Sequence, residues 1–180
     1  MFGVDQTTHD QNLKAVFQRL REKGLTLSKS KCEFNKSSLE FFGHIFSAAG
    51  LSADASKIQA ILDMEAPKSA SEVRSLLGMT NYCGSRLVHN YATLTHDLRK
   101  LTKKSTYWNW SSKHDVAFKK LNHALTQMPC LQYFDPKLAA EMLVDASPVG
   151  LCAILMQVSE DGSRHTVQYA SRALTSVDQR

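Results

Sequence analysis

The sequence predicts an α+β fold, and three observations carry that expectation. The apolar period is helical near the N-terminus, close to two around residues 32–45, helical again from residue 54 to about 125, and strand-like after Leu131. Cap and stop residues fall where those periods change. At 180 residues with 43% apolar content, the chain can bury the core of one domain or of two small ones.

Leu13, Val16, Phe17 and Leu20 stand at i, i+3, i+4 and i+7. That spacing puts them on one face of a helix opening near residue 8, with Thr7 or Thr8 as its cap and Gly24 as its stop. Cys32 and Phe34 alternate with polar neighbours, Asn35-Lys36-Ser37-Ser38 reads as a turn, and Leu39, Phe41, Gly43 and Ile45 alternate again. A hairpin is expected there, followed by a tight second return over residues 47–50. Ile58, Ile61 and Leu62 mark a short helix that stops before Pro67. Ser69 and Glu72 have capping-box spacing ahead of Val73, Leu76 and Leu77, and Leu94, Leu98 and Leu101 line a third helix, which together predict a small bundle.

Trp108-Asn109-Trp110 leads into a fourth helix capped at Ser111 or Ser112, with Phe118, Leu121 and Leu125 facing inward and Pro129 beyond its end. Strands are then expected over residues 131–134, 142–145, 151–158 and 166–171. The almost wholly apolar run 151–156 fits a strand covered on both faces. Glu160, Asp161 and Gly162 form a hairpin turn, and Thr175-Ser176-Val177-Asp178 has the form of the first turn of a further helix.

Charge is uneven. Residues 1–125 hold 18 Lys+Arg against 11 Asp+Glu, a balance of +7, whereas residues 126–180 hold 4 against 6, a balance of −2. The basic part suits a polyanion, and a solvated surface explains the same excess. Lys100, Lys103 and Lys104 fit either a helix C-terminus or a phosphate contact. Cys32, Cys83, Cys130 and Cys152 form no CxxC pair and read as reduced intracellular thiols. No apolar run approaches the ~18 residues of a membrane span. The seven His residues contain no HExxH, and there is neither a phosphate-binding Gly-rich loop nor a GxSxG elbow. Asp145 closes a short apolar strand and is followed only by Glu160, Asp161 and Asp178 as further acids, so it looks like one corner of a metal site.

Five stretches recur together in a known order. They are Phe41-Phe42-Gly43-His44-Ile45 with Gly50 and Asp54 after it, Leu76-Leu77-Gly78-Met79-Thr80-Asn81-Tyr82, Trp108-Asn109-Trp110, Asp145-Ala146-Ser147, and Tyr169-Ala170-Ser171-Arg172-Ala173-Leu174. In this order and spacing the chain resembles the pol polyproteins of gypsy-type long-terminal-repeat retrotransposons, over essentially all of its length. The resemblance implies the end of a reverse transcriptase palm with a primer-grip-like hairpin over residues 1–53 and a helical thumb over 54–104. It implies a linker helix and an incomplete RNase H-like antiparallel sheet over 105–180. Met1-Phe2-Gly3 resembles the end of the strand after the Tyr-x-Asp-Asp hairpin, which puts the polymerase aspartates upstream of this chain.

By the same resemblance Phe41, Phe42, Gly43 and His44 form the grip on the primer's 3′ end, where glycine lets backbone approach sugar-phosphate. Arg74, Gly78 and Tyr82 follow the minor groove of a hybrid duplex. Cys83-Gly84-Ser85-Arg86 departs from the family's aromatic and basic pattern, which would weaken the helix and cost one phosphate contact. Asp145 matches the first carboxylate of the two-metal RNase H site. Its Glu and two Asp partners would follow Arg180, so Mg²⁺ is implied for the complete parent enzyme, and neither tight metal binding nor catalysis is expected of this chain alone. Plain structural roles also fit these residues: Phe41 and Phe42 as core with Gly43 as a bulge, Tyr82 as helix packing, Asp145 as the cap of its turn.

The chain is therefore expected to contribute template–primer binding to a reverse transcriptase and RNase H polyprotein. The expected partners are an RNA–DNA hybrid or DNA duplex and the rest of the polyprotein, inside the cell in cytoplasm, nucleus or both, and away from membranes. A domesticated nucleic-acid-binding or interaction protein and a non-functional translated relic are the alternatives.

Overall fold

Asp5, rather than Thr7 or Thr8, opens the first helix. Its carboxylate accepts the Thr8 amide N–H at 2.7 Å, so the helix α1 starts earlier than expected and runs over Gln6–Glu22. Gly24, at φ +65°, ends it as expected, and the Leu25 N–H returns to the Leu20 carbonyl at 2.9 Å. No residue of α1 is buried, and Phe17 meets Phe34 with ring centroids 6.0 Å apart. The strand expected at Cys32 and Phe34 is absent. A 3₁₀ turn over Lys29–Lys31 precedes it, and the Cys32 N–H bonds back to the Lys29 carbonyl at 3.2 Å, so the backbone is satisfied locally instead of in a ladder. Residues up to Lys36 form one compact unit and residues from Ser37 onward a second. This computed structural model describes residues 3, 5–104, 106–175 and 177–178; the strand end expected at Met1-Phe2 lies outside them.

The second unit is mixed helix and sheet, with two three-stranded antiparallel sheets among the described residues. The first sheet is β1 (Ser38–Phe41), β2 (His44–Ser47) and β3 (Gly50–Ala53), in that order. Asp54 then caps α2 (Ala55–Leu62), its Oδ1 accepting the Ser56 amide and hydroxyl, both at 2.8 Å. Those two bonds hold its carboxyl below the usual range. Ser69 opens α3 (Ala70–Gly84) by accepting the Glu72 N–H at 3.2 Å, while Glu72 takes the Lys68 amide at 2.8 Å and the Ser69 hydroxyl at 3.1 Å. The single helix expected through Leu94, Leu98 and Leu101 is two, α4 (Tyr91–Leu94) and α5 (His96–Lys100). They part at Thr95, whose buried hydroxyl donates to the Tyr91 carbonyl at 2.8 Å and accepts from Arg99 Nε at 2.9 Å. After them α6 runs over Ser112–Thr126 from the expected Ser111 cap.

Ile61, Val73, Leu76, Leu98, Leu121 and Leu125 close the core between these helices. Truncating one such Leu to Ala costs about 2–5 kcal/mol. Thr80 and Tyr91 bring hydroxyls into that core and satisfy each other at 2.8 Å.

The second sheet is β4 (Ala139–Ser147), β5 (Gly150–Val158) and β6 (Arg164–Ala173), in that order, each strand longer than its sequence pattern. The strand expected over residues 131–134 shrinks to one bridge, Leu131 to Leu51, with both backbone bonds at 2.8 Å. Beyond it the Gln132 N–H turns away to the Thr166 carbonyl, so the segment links the two sheets instead of extending either. Gly50 makes the bridge possible: at φ +128° it lies so close to Leu131 that an added Cβ would sit 2.1 Å from the Leu131 carbonyl oxygen. The central strand β5 is partly rather than fully covered: Leu151 stays 38% exposed, Cys152 is buried, and residues 153–156 are half-buried. Gln157, unmarked in the sequence, is buried and bonds Asp135 at its amide and carbonyl. Thr175 and Asp178 bond reciprocally, the amide and hydroxyl of Thr175 to the carboxylate at 2.9 Å and the Asp178 amide to the hydroxyl at 3.3 Å, which is the expected first-turn geometry. No helix among the described residues is long and apolar enough to cross a membrane.

His114 takes the place that Glu or Gln usually holds in a capping box. Its Nδ1 accepts the Ser111 amide N–H at 3.0 Å, and burial, with Lys113 beside it, pushes its pKa below the ordinary histidine value. A lowered folded-state pKa means that the unfolded chain binds the proton first. Stability should therefore fall as pH drops below the ordinary histidine range toward the folded pKa, with His96, also shifted down by burial, contributing in the same direction. In His114→Gln the cap survives without a titrating ring, so urea unfolding curves from pH 7 to about 5 should show a shallower loss than in the parent. An unchanged slope would remove His114 from this role.

Candidate nucleic-acid interface

The β1–β2 hairpin closes in two residues. Phe41 pairs with His44, and the loop between them, Phe42 and Gly43, has positive φ at both positions, 48° and 71°. That is the pattern of a type I′ turn, which favours Asn-Gly because bulky side chains resist the left-handed region. Phe42 accepts that strain although it is 69% exposed, and Phe41 is 56% exposed. Their rings meet edge to face at 4.4 Å. The alternative of two core phenylalanines beside a bulge is thus corrected: the pair stands at the tip of a regular hairpin, in solvent.

Gly43 is buried by a neighbour. An added Cβ would lie 3.1 Å from Cε1 of Tyr82, so the turn rests directly on α3. The His44 ring is 6.5 Å from that of Tyr82, and its Nδ1 is 2.9 Å from the Phe42 carbonyl oxygen, which fixes the imidazole across the turn. The Gly43 carbonyl accepts the Asp54 N–H at 3.2 Å, tying the hairpin tip to the start of α2.

On α3, Arg74, Gly78 and Tyr82 are all exposed at intervals of four, one face of the helix. Nothing lies within 4 Å of where a Gly78 Cβ would be, so this position is bare on its outer side. Arg74 donates from Nη2 to the Thr102 carbonyl at 3.2 Å, leaving its other nitrogens outward-facing donors in reserve. The structure therefore joins Phe41, Phe42, Gly43 and His44 to Tyr82, and extends that patch along α3 through Gly78 to Arg74. The departure at residues 83–86 does not shorten the helix before Gly84. Cys83 is buried in the core, and a Cβ on Gly84 would lie 3.0 Å from Leu125 Cδ2, so Gly84 serves the close packing of α3 against α6.

Asp145 lies elsewhere, exposed on β4 opposite Cys152, in the wall of an open and largely apolar pocket with Val144, Ala153 and Ser171. It does not cap its turn. Ser147 does so, its hydroxyl oxygen accepting the Gly150 N–H at 3.0 Å and the Val149 N–H at 3.3 Å. Among the described residues no group of three or more His, Cys, Asp or Glu gathers as a metal site. Mg²⁺ takes hard oxygen ligands, and the Cys152 thiol beside Asp145 is a soft one. The Asp145 carboxylate supplies one hard-oxygen ligand of the several that the ion takes.

Residues 110–180 match the family described as "RNase H-like domain found in reverse transcriptase". The Tf2-3 and Tf2-4 transposon polyproteins of Schizosaccharomyces pombe are each 30% identical to the chain over 172 residues, 96% of its length and 13% of theirs. The chain thus spans about 13% of the curated relatives that it matches. Among solved structures, the foamy viral protease-reverse transcriptase in complex with RNA/DNA hybrid covers the whole chain at a TM-score of 0.79 and 21% identity, using 24% of its own length. The same viral protein in complex with dsDNA covers 96% at a TM-score of 0.76 and 22% identity, using 36% of its own. The fold is accordingly that of the reverse transcriptase and RNase H region, and in sequence the chain is similar to retrotransposon polyproteins across nearly all of its length.

Proposed function

We propose that this chain is the stretch of a gypsy-type retrotransposon polyprotein that holds the template–primer duplex between polymerase and RNase H. In this reading residues 1–53 end the palm, 54–104 form the thumb, and 105–180 carry the linker helix and the start of the RNase H sheet. The observation that carries it is the seating of the Phe42-Gly43 turn on Tyr82: a strained, exposed aromatic tip and a bare helix face meet in one patch, where a narrow duplex surface could lie against both. The similarity to Tf2 polyproteins and the fold shared with a reverse transcriptase bound to an RNA/DNA hybrid support the same ligand.

Gly43 and His44 with Phe41 and Phe42 grip the primer backbone. Gly78 lets sugar-phosphate approach α3, and Tyr82 and Arg74 flank it. The chain binds and positions without performing chemistry by itself. Asp145 is its single contribution to an RNase H carboxylate set, and Mg²⁺ belongs to the complete enzyme. Its partners are the hybrid or DNA duplex and the remainder of the polyprotein, and it acts inside the cell.

Binding of a labelled RNA–DNA hybrid, followed by fluorescence anisotropy over a salt series, tests this directly. Affinity should fall with rising salt, Arg74→Gln should lower the magnitude of the log–log slope by about 0.9, the share of one phosphate contact, and Tyr82→Ala should weaken binding at every salt concentration. Hybrid affinity indifferent to both substitutions would sink the proposal. Phe42→Asn separates binding from folding. It should stabilise the hairpin by about 1 kcal/mol in urea unfolding, by relieving the left-handed strain, and should weaken hybrid binding through loss of the ring.

A further inference from the structure

We propose a second nucleic-acid contact, separate from the hairpin and α3 patch: a basic pocket between the end of α5 and the start of α6 that holds phosphates of a single strand while Tyr107 stacks on one of its bases. It rests on the nucleic-acid reading of the chain for its ligand class and on different residues for its evidence.

The charge excess of the protein is local. Residues 97–120 hold seven Lys or Arg against two Asp, a balance of +5, and the net charge of the whole chain is also +5. Over the remaining residues charges cancel. Lys100, Lys103 and Lys113 line one pocket together with Tyr107, Asn109 and His114, and no Asp or Glu is among its lining residues. Of the two Asp residues of the segment, Asp97 alone pairs with a lysine of the pocket. Asp97 reaches Lys100 at 3.5 Å, and Asp115 accepts the Trp110 indole N–H at 2.7 Å. Lys103 and Lys113 take part in no ion pair among the described residues. Ammonium groups sharing one concavity repel each other, and an anion placed among them converts that repulsion into attraction.

Tyr107 decides between kinds of anion. It is 95% exposed, so the fold gains almost nothing from burying its ring, and it stands in the same wall as the three lysines. A bare aromatic beside a basic groove is the arrangement by which single strands are held, the ring stacking on whichever base is present while ammonium groups follow the backbone. An acidic peptide would use the lysines and leave the ring idle. His114 also lines the pocket, its Nδ1 engaged by Ser111 at the start of α6.

The test uses the full chain and two labelled probes, a single-stranded DNA oligonucleotide and an RNA–DNA hybrid, in anisotropy titrations at several salt concentrations. Tyr107→Ala should weaken single-strand binding at least about fivefold. The combined Lys100→Ala, Lys103→Ala, Lys113→Ala variant should reduce the single-strand salt slope by about 2, three contacts' worth. Tyr82→Ala should leave the single-strand values unchanged and act on the hybrid. Single-strand affinity indifferent to both pocket variants overturns the pocket even where hybrid binding persists. Equal competition by inorganic phosphate or by polyglutamate at matched charge overturns it as well, since either reveals a general anion sink. Failure of the hybrid arm alone, with the Tyr107 effect intact, removes the duplex reading and leaves this one standing.

Discussion

The contact between Gly43 and Tyr82 is the constraint on which the candidate surface depends. Gly43 suits this seating because it occupies the left-handed region and because a Cβ there would crowd Tyr82 Cε1 at 3.1 Å, and the aromatic ring beside it also buries the glycine. Three elements meet there: the hairpin through Gly43 itself, α3 through Tyr82, and α2 through the Asp54 amide that bonds the Gly43 carbonyl. Position and exposure are thereby separated. The backbone of the turn is pinned, while Phe41, Phe42 and the outer edge of Tyr82 stay in solvent. A ligand meeting this patch finds groups already held in place, so little ordering entropy opposes its binding.

A second glycine plays the corresponding part for the sheets. Gly50 allows Leu131 to bridge to Leu51, and Leu131 is followed at once by the bond from Gln132 to Thr166 on β6. Sheet, helical core and second sheet are thus joined by short links at fixed points, with the Ser171 side-chain hydroxyl oxygen accepting the Ala92 N–H at 2.9 Å as another. The apolar side chains of β4 gain nothing from these links. Met142, Leu143 and Val144 remain 55–74% exposed, Met142 and Val144 on one face of the sheet and Leu143 on the other.

Periodicity made most of the helical part legible. Ile61, Val73, Leu76, Leu98, Leu121 and Leu125 were marked as inward-facing by their spacing or lie among residues so marked, and they are the core. The alternation at Cys32 and Phe34 misled because a period of two says nothing about whether a ladder partner exists, and the backbone there had found local bonds. The run 131–134 misled for the same reason, since one bridge was available and then the chain turned away. Thr95 split a helix by a hydroxyl-to-carbonyl bond that spacing cannot reveal. At the candidate site, the residues were readable as motifs but their assembly was not. Nothing in Phe42-Gly43 announces that Tyr82, some forty positions on, will take the glycine's missing side chain as its own space.

Phe42 shows why such a site leaves a mark on the fold at all. A phenylalanine at positive φ costs about 1–3 kcal/mol, and an exposed ring returns little of it through burial. Its edge contact with Phe41 offsets part of the cost, in the range of 0.5–1.5 kcal/mol at most for a well-placed pair. Asn at this position would fold more easily. The fold itself makes little use of the ring, which the proposed duplex contact would employ, and the same reasoning separates it from Phe118 and Tyr91, whose rings are buried. Tyr107 falls on the side of Phe42: an aromatic that the fold does not use, placed where the chain has collected its positive charge.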